Sequence, residues 1–244
     1  MIIKYIDNIN FKKMLVGAAI NLENNKAIVD SLNVFPVPDG DTGTNMNLTV
    51  QSAIKEIDSS KVITIEKIAE AAANGSLMGA RGNSGVILSQ LFRGLSKGLK
   101  NVNYIDSKIM AEAFKSASDT AYKAVMKPVE GTILTVARET AEKAMAAYEK
   151  YDDVSLFLED LIKQSKNTLD RTPEMLKVLK QADVVDAGGK GLVYLLEGAL
   201  SALKGVEIKQ EKKAITEVVD TELEIDSFSS EDERVNFQFS INNF

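Results

Sequence analysis

The sequence predicts an all-α fold, on three observations. Apolar residues recur every three or four positions through most of residues 11–203, which is the period of an amphipathic helix. The alternation typical of strands occurs only in residues 235–241. Four glycine-rich joints interrupt the helical pattern, and each lies where a helix is expected to begin. We therefore expect a body of eight or nine packed helices.

Each predicted helix follows from its apolar spacing and from the residues at its ends. The first has Met14, Leu15, Ala18 and Leu22 on one face. The fifth ends shortly before Pro128, because proline cannot continue a helix. The predicted segments are 11–32, 44–57, 64–78, 83–99, 106–125, 132–150, 154–169, 172–181 and 189–203.

The composition excludes several kinds of active site. The chain of 244 residues contains no cysteine and no histidine, which excludes disulfides, thiolate and imidazole metal sites, and the Ser-His-Asp and Cys-His triads. Carboxylates, hydroxyls, Lys, Arg and backbone groups are left for chemistry. The sequence shows no signal peptide and no apolar run of the roughly 18 residues that span a membrane, so we expect a cytoplasmic protein.

The net charge of −6 comes from the last part of the chain. Residues 206–244 contain ten acidic and four basic residues, which leaves 25 of each in residues 1–205. A neutral body offers no broad basic face for nucleic acid. We expect a functional domain over residues 1–205 and an acidic linker over residues 206–244.

Residues 33–46 predict a turn that carries two carboxylates and opens into a helix. Two prolines force the chain to arrive extended, and two glycines permit a tight bend. Asp39 and Asp41 offer the hard oxygen ligands that Mg²⁺ binds together with water and phosphate. The competing interpretation is a solvated turn with a helix cap at Thr44. A calcium EF-hand is disfavoured, because Thr44 and Val50 stand where that loop requires glycine and glutamate.

The joint at residues 77–86 has the composition of a phosphate-binding helix start. With Asn83 near the N-cap, the next three N–H groups have no partner within the helix and carry the positive end of its dipole. Ser84 adds a hydroxyl group. The small residues also suit helix packing, and the spacing matches neither a Walker A loop nor a dinucleotide fingerprint. The glycines that would let a phosphate approach are Gly79, Gly82 and Gly85.

Two further joints open helices later in the chain. Glu130 and Thr132 are candidate helix caps in the third joint, and Arg138 follows within two turns. The fourth joint has three glycines between residues 188 and 191, which suit either a ligand or a tight turn. Four such joints, with paired carboxylates and no P-loop, indicate a metal–nucleotide site at one end of a helical bundle.

The four joints resemble the signatures of a known kinase domain. NVFPVPDGDTGTNM (33–46) and GARGNSGVILSQ (79–90) are most similar to the ATP-binding N-terminal domain of bacterial fatty acid kinase. All four joints also resemble the L subunit of bacterial dihydroxyacetone kinase, and the resemblance covers about residues 5–205. It implies an eight-helix antiparallel barrel with ATP at one rim and two Mg²⁺ ions held by Asp side chains.

The resemblance and the chemistry of phosphoryl transfer assign roles to individual residues. The predicted catalytic residues are Asp39 and Asp41, with Arg81 and Arg138 as candidates to neutralise the transferred phosphoryl group. The predicted nucleotide-binding residues are Thr42, Thr44, Asn45, Met46, Gly79, Gly82, Asn83, Ser84, Gly85, Glu130, Gly131, Thr132, Asp186, Ala187 and Gly188.

Two departures distinguish this chain from the dihydroxyacetone kinase subunit. That subunit has a third metal-binding Asp five residues before the carboxylate pair, and this chain has Val34 there. Asn33 is the expected substitute, so the predicted metal ligands are Asn33, Asp39 and Asp41. Thr42 replaces the histidine that follows the second Asp. Both differences favour the fatty acid kinase branch over a glycerone substrate.

The reaction of that branch suits a chain without histidine. A carboxylic acid with a pKa of about 4 to 5, like Glu, is already ionised at pH 7 and needs no general base. The resemblance implies a separate fatty-acid-binding protein of the DegV type as the acyl carrier. It also implies further domains for docking and dimerisation, so we expect a truncated chain.

Two alternative functions stay open at this point. The first is an L-type subunit of dihydroxyacetone kinase that keeps ADP as a bound phosphoryl carrier. The second is a nucleotide-binding regulator without catalytic activity. Intact Asp39 and Asp41 disfavour the regulator, and the absence of the third Asp disfavours the L-type subunit.

Overall fold

A computed structural model describes residues 2–59 and 64–209 and confirms the all-α prediction. An isolated bridge between Ile6 and Ile105 is the only strand-like pairing among these residues. The α-helices are α1 Asn8–Ser31, α2 Thr42–Ser59, α3 Ile65–Met78, α4 Gly82–Gly98, α5 Ser107–Ala124, α6 Ile133–Ala147, α7 Val154–Asp170, α8 Thr172–Met175, α9 Lys177–Ala182 and α10 Ala187–Leu203. A 3₁₀ helix, Tyr148–Lys150, follows α6 directly.

The long helices pack against one another in chain order. From α1 to α7, each helix contacts the next, and α10 packs against α1, so the last long helix returns to the first. α10 also contacts α2, α6 and α7. The short helices α8 and α9 connect α7 to α10.

Close contacts at glycines show that neighbouring helices run antiparallel. Gly94 lies against Ala117 and Gly98 lies against Ala113, so residue numbers rise along α4 as they fall along α5. A methyl group at position 94 would lie 2.5 Å from the Ala117 Cα, a distance that real side chains essentially never show. The backbones of α4 and α5 are therefore in direct contact at these glycines. Gly17 of α1 makes the same kind of contact with α10.

The apolar faces of the long helices form the core. Large side chains such as Leu22, Leu134 and Phe157 are fully buried there. A cavity of about 160 Å³ lies among apolar side chains of α1, α4, α5 and α10, with Ser118 and Thr140 as the polar residues in its lining. Because the interior is so apolar, the groups that can bind a charged ligand lie at the helix ends.

Several helix boundaries differ from the predicted ones, and α1 begins at Asn8, three residues before its predicted start. α2 begins at Thr42 and α4 at Gly82, one or two residues earlier than expected. The segment 172–181 is divided into two helices, because Leu176 is extended. α10 begins at Ala187, directly after its cap Asp186.

Most of the predicted acidic linker, including the strand-like residues 235–241, lies outside the described residues. The domain boundary at residue 205 therefore stays a prediction. None of the described helices combines the length and the hydrophobicity needed to cross a membrane.

Candidate nucleotide-binding site

Residues 33–41, here called the Asp turn, connect α1 to α2 and leave Asp39 exposed. The turn contains a cis peptide bond before Pro36, and Gly40 has φ +67°, a left-handed conformation that favours glycine. Asn33 Nδ2 donates a hydrogen bond to Asp39 Oδ1 at 2.6 Å. The Asn33 Oδ1 is buried and has no donor among the described residues. The Asp39 carboxylate thus faces the amide nitrogen of Asn33, and the amide oxygen of Asn33 is left unpaired.

The first turn of α2 is capped by a residue of another helix. Because α2 begins at Thr42, Asp41 occupies its N-cap position. Asp30, near the end of α1, accepts hydrogen bonds from the Thr44 N–H at 2.9 Å and from the Thr44 hydroxyl at 2.8 Å. In the described part of the chain, no hydrogen bond or ion pair reaches the Asp41 carboxylate. The interpretation of Thr44 as the cap is therefore wrong, since Thr44 lies inside the helix and donates to Asp30.

α4 begins without a side-chain cap. Its N-cap position is Arg81, whose side chain makes no capping hydrogen bond. Gly82 has φ +58°, which lets the chain turn into the helix one residue before the predicted start at Asn83. The Gly85 N–H bonds to the Arg81 carbonyl at 3.0 Å, so the open N–H groups are those of residues 82–84. This helix end carries a partial positive charge and suits an anion.

The start of α2, directly after the Asp turn, lies beside the start of α4. A methyl group at position 82 would lie 2.5 Å from Asn45 Nδ2. The Thr49 hydroxyl accepts from the Arg81 N–H at 3.3 Å and donates to the Asn45 carbonyl at 2.7 Å. A methyl group at position 85 would lie 2.4 Å from Thr49 Oγ1. α2 and α4 therefore approach closely near their starts, so the helix start that follows Asp41 lies against the predicted phosphate loop.

The joint before α6 is closed by its own side chains. Thr132 is the N-cap of α6 and forms a capping box with Thr135, which confirms Thr132 as a cap. Glu130 accepts a hydrogen bond from the Thr135 hydroxyl at 2.8 Å. Gly131, which lies between Glu130 and Thr132 in the chain, has φ +81°. The nucleotide contacts predicted for this joint stay predictions.

Arg138 is surrounded by partners, whereas Arg81 is not. The Arg138 guanidinium donates to Glu130 at 2.9 Å, to Glu142 at 3.1 Å and to the Tyr122 hydroxyl at 3.2 Å. The hydrogen bond with Tyr122 is the main reason that the pKa of Arg138 is raised. Burial would raise the pKa of Glu130, but hydrogen bonds from its neighbours outweigh burial and lower it. A phosphate would have to displace these partners, while Arg81 is exposed and forms no ion pair with any described residue.

Asp186, in the joint before α10, bridges two helix starts. It is the N-cap of α10, and its Oδ2 accepts from the Gly189 N–H at 2.7 Å. It also accepts from the backbone N–H of Ile133, the first residue of α6. Burial raises the pKa of Asp186 to about 6, although the two hydrogen bonds oppose this. A methyl group at position 191 would lie 2.7 Å from Met46 Sδ, which joins this region to α2.

These contacts bring the four joints to one end of the bundle, with different accessibility. The predicted site residues that are exposed or half-buried are Asp39, Asp41, Thr44, Asn45, Gly79, Arg81, Gly82, Asn83, Ser84, Glu130 and Arg138. Those that are buried are Asn33, Thr42, Met46, Gly85, Gly131, Thr132, Asp186, Ala187 and Gly188. Met46 was predicted to contact nucleotide, but it is fully buried in the core.

Sequence reasoning missed Asp30 and Thr49, which both shape this end of the bundle. Asp30 lies on a helix recognised by its apolar face, and an acidic residue there suggests only a solvated position. One signal was present: Asp30 and Asn33 are three residues apart at a helix end, which places a carboxylate and an amide on the same face before the turn.

The family model described as the DAK2 domain matches residues 36–201. The chain belongs to the DAK2 domain family. Protein YloV of Bacillus subtilis (strain 168) is 50% identical to this DAK2 chain over 210 residues, 86% of the chain and 38% of YloV. An uncharacterized protein of Staphylococcus aureus (strain USA300) is 51% identical over 199 residues, 82% of the chain and 36% of that protein. The chain thus spans just over a third of the length of these relatives.

The fold of this DAK2 domain is also similar to solved structures of the dihydroxyacetone kinase of C. freundii. The complex with AMP-PNP and Mg²⁺ matches with a TM-score of 0.60 and 13% identity, over 81% of this chain and 34% of that one. The native form matches with a TM-score of 0.56 and 11% identity, over 83% and 36%. At this level of identity, the likeness shows a shared fold.

Proposed function

We propose that this DAK2 domain binds ATP with Mg²⁺ at the Asp turn and transfers the γ-phosphoryl group to the carboxylate of a fatty acid. One observation carries the proposal: the first turn of α2, which directly follows Asp39 and Asp41 in the chain, lies against the uncapped start of α4. Carboxylates alone would repel a phosphate, but a bound cation reverses that interaction. A helix start with open N–H groups next to a cation site suits the phosphates of a nucleotide.

The oxygen atoms at the Asp turn fit Mg²⁺. Two carboxylates and the unpaired Oδ1 of Asn33 are hard ligands, and a buried oxygen without a donor gains a partner when a cation binds. No three acidic side chains in residues 2–59 and 64–209 lie close enough to bind a metal by themselves. Water and phosphate oxygens would therefore complete the coordination. The resemblance suggests two ions, and bound Mg²⁺ would neutralise charge on the phosphates.

The protein groups around this site would orient the nucleotide. The open N–H groups of residues 82–84 would bind phosphate oxygens. Of the two candidate arginines, Arg81 can turn toward them without breaking an ion pair, whereas Arg138 is paired with Glu130 and Glu142. A carboxylate oxygen of the fatty acid forms a bond to the γ-phosphorus as the bond to the ADP oxygen breaks. No proton is transferred, because the acceptor is already ionised. The chain has no histidine to serve as a base, which agrees with such an acceptor.

The acceptor is proposed to arrive on a separate fatty-acid-binding protein of the DegV type. Support for this carrier comes from the sequence resemblance, as does support for a homodimer formed through further domains. The proposed cytoplasmic location is supported by a sequence without a recognisable signal peptide or an apolar run long enough to span a membrane. The structural likeness to dihydroxyacetone kinase favours a second candidate, an L-type subunit with ADP as phosphoryl carrier. The two candidates differ in acceptor, so a transfer assay separates them.

Calorimetric titration of ATP, with and without Mg²⁺, tests the nucleotide site. We expect binding that depends on Mg²⁺ and that disappears in the double variant Asp39→Ala, Asp41→Ala. The matched control is Asp58→Ala, Asp119→Ala, which removes two carboxylates from surface ion pairs. Absence of ATP binding by the folded native chain would overturn the proposal. Transfer is then measured with the full-length protein, with carrier-bound fatty acid and dihydroxyacetone as competing acceptors.

A further inference from the structure

The aspartate at the N-cap of α2 differs from the other capping aspartates in what its carboxylate does. Asp7, Asp106 and Asp186 each accept a hydrogen bond from the N–H three residues later, at 2.7, 2.8 and 2.7 Å. This is the usual bond of an aspartate cap. Asp41 occupies the same position before α2, and the equivalent N–H is that of Thr44.

Asp30 already occupies that N–H. Its carboxylate receives both the backbone N–H and the hydroxyl of Thr44, so neither hydrogen is left for Asp41. A close backbone approach makes this possible: a methyl group at position 43 would lie 2.2 Å from the Lys26 carbonyl oxygen of α1. The end of α1 therefore supplies the cap that the α2 sequence would otherwise take from Asp41.

We propose that Asp30 is a positioning residue, which caps α2 in place of Asp41 and so leaves the Asp41 carboxylate available to a divalent cation. The inference rests on the proposed function, because it concerns the cation that accompanies ATP. A carboxylate that caps a helix must give up that bond before it can turn to a metal. With Asp30 in place, Asp41 binds the cation without that loss.

Removal of Asp30 should weaken cation binding, because Asp41 would then cap α2 instead of binding the cation. In Asp30→Ala, the Thr44 N–H has no acceptor, and Asp41 is the nearest residue with the standard geometry to supply one. A helix cap is worth about 1 kcal/mol, which corresponds to about a fivefold change in affinity. We therefore expect the enhancement of ATP affinity by Mg²⁺ to fall about fivefold, while ATP affinity without Mg²⁺ stays unchanged.

The experiment measures ATP binding by calorimetry, with and without Mg²⁺, in the native chain and in Asp30→Ala, Asp41→Ala and the double variant. If Asp30 acts through Asp41, its substitution has no further effect on the Mg²⁺ enhancement once Asp41 is alanine. The matched control is Asp7→Ala, which removes an ordinary aspartate cap from α1. It should lower the melting temperature and leave the Mg²⁺ enhancement unchanged.

The outcomes separate this inference from the function on which it rests. A native chain that binds ATP equally with and without Mg²⁺ would overturn the proposed cation site itself. A native chain with Mg²⁺ enhancement, together with Asp30→Ala that keeps all of it, would overturn the role of Asp30 alone. An equal loss in the native and Asp41→Ala backgrounds would do the same, since it would mark a merely structural residue. If Asp30→Ala is unfolded by circular dichroism, Asp30→Asn replaces it, and a partial loss is expected because the amide offers one oxygen acceptor.

Discussion

Replacement of Asp186 by asparagine should remove a pH dependence from the stability of this domain. Asp186 is 6% exposed, and burial raises its pKa to about 6 from an ordinary value of 3.8. The folded protein therefore binds this proton more tightly than the unfolded chain does. The stabilising contribution of the group is complete below about pH 4 and is lost as the pH rises through about 6.

The size of the effect follows from the two pKa values. The step from 3.8 to about 6 corresponds to about 3 kcal/mol of unfolding free energy, at roughly 1.36 kcal/mol for each tenfold change in proton affinity. Asp186→Asn keeps an oxygen acceptor for the Gly189 N–H and does not titrate. Relative to the native chain, the variant should gain about 3 kcal/mol of stability between pH 4 and pH 7.

Urea unfolding at a series of pH values, without nucleotide, measures this difference. Asp153→Asn is the matched control, because Asp153 caps α7 but has a lowered pKa. Burial would raise the pKa of Asp153, but hydrogen bonds from Ser155 and nearby backbone groups outweigh it. The stabilising contribution of Asp153 is lost as the pH falls, so Asp153→Asn should lose stability relative to the native chain as the pH rises. A difference in unfolding free energy between Asp186→Asn and the native chain that stays constant from pH 4 to pH 7 would refute the reasoning.

Three further predictions concern packing, the phosphate loop and the charged network. Gly94→Ala should cost about 1 to 3 kcal/mol in urea unfolding, because its methyl group meets the α5 backbone. The control for this packing effect is Gly40→Ala, which has open space around the added methyl group and a positive φ and should cost about 1 kcal/mol. Gly82→Ala should weaken ATP binding about tenfold in calorimetry, because it is strained by its positive φ and displaces an α2 side chain. Arg138→Gln should raise the pKa of Glu130, measured by NMR titration.

Each of these predictions has an outcome that contradicts it. A cost for Gly94→Ala clearly below about 1 kcal/mol would mean that α4 and α5 separate easily. Native ATP affinity in Gly82→Ala would place the nucleotide away from the start of α4. An unchanged Glu130 titration would show that Arg138 does not control this carboxyl group.

The fold could be predicted because helical periodicity is a local signal. Apolar residues three and four apart identified the long helices, and proline and glycine marked most of their ends. Sequence missed helix boundaries where the backbone conformation of a glycine determines the start of the helix. Gly82 turns the chain into α4 at a positive φ, and sequence shows only that glycine permits such an angle.

The location of the candidate site could be predicted from the sequence, but several of its hydrogen bonds could not. The four joints could be found from composition, and the structure brings them to one end. The cap at Thr132 was predicted, but two other contacts could not be, because they join residues that are distant in sequence: Asp30 reaches Thr44 on the next helix, and Asp186 reaches Ile133. Hydrogen bonds of this kind depend on the packing of whole helices, which no short window of sequence contains.

The contact of α1 with α10 also determines when the protein can finish folding during synthesis. A ribosome releases α1 long before α10, so the apolar face of α1 has no partner from α10 until residues 187–203 have been translated. The close contact between Gly17 and Gly198 can form only after α10 has been translated. A chain that stops before residue 187 would lack this cover and would present exposed apolar surface to chaperones and proteases. The end of the bundle that holds the candidate site is likewise completed only when α10 has been made.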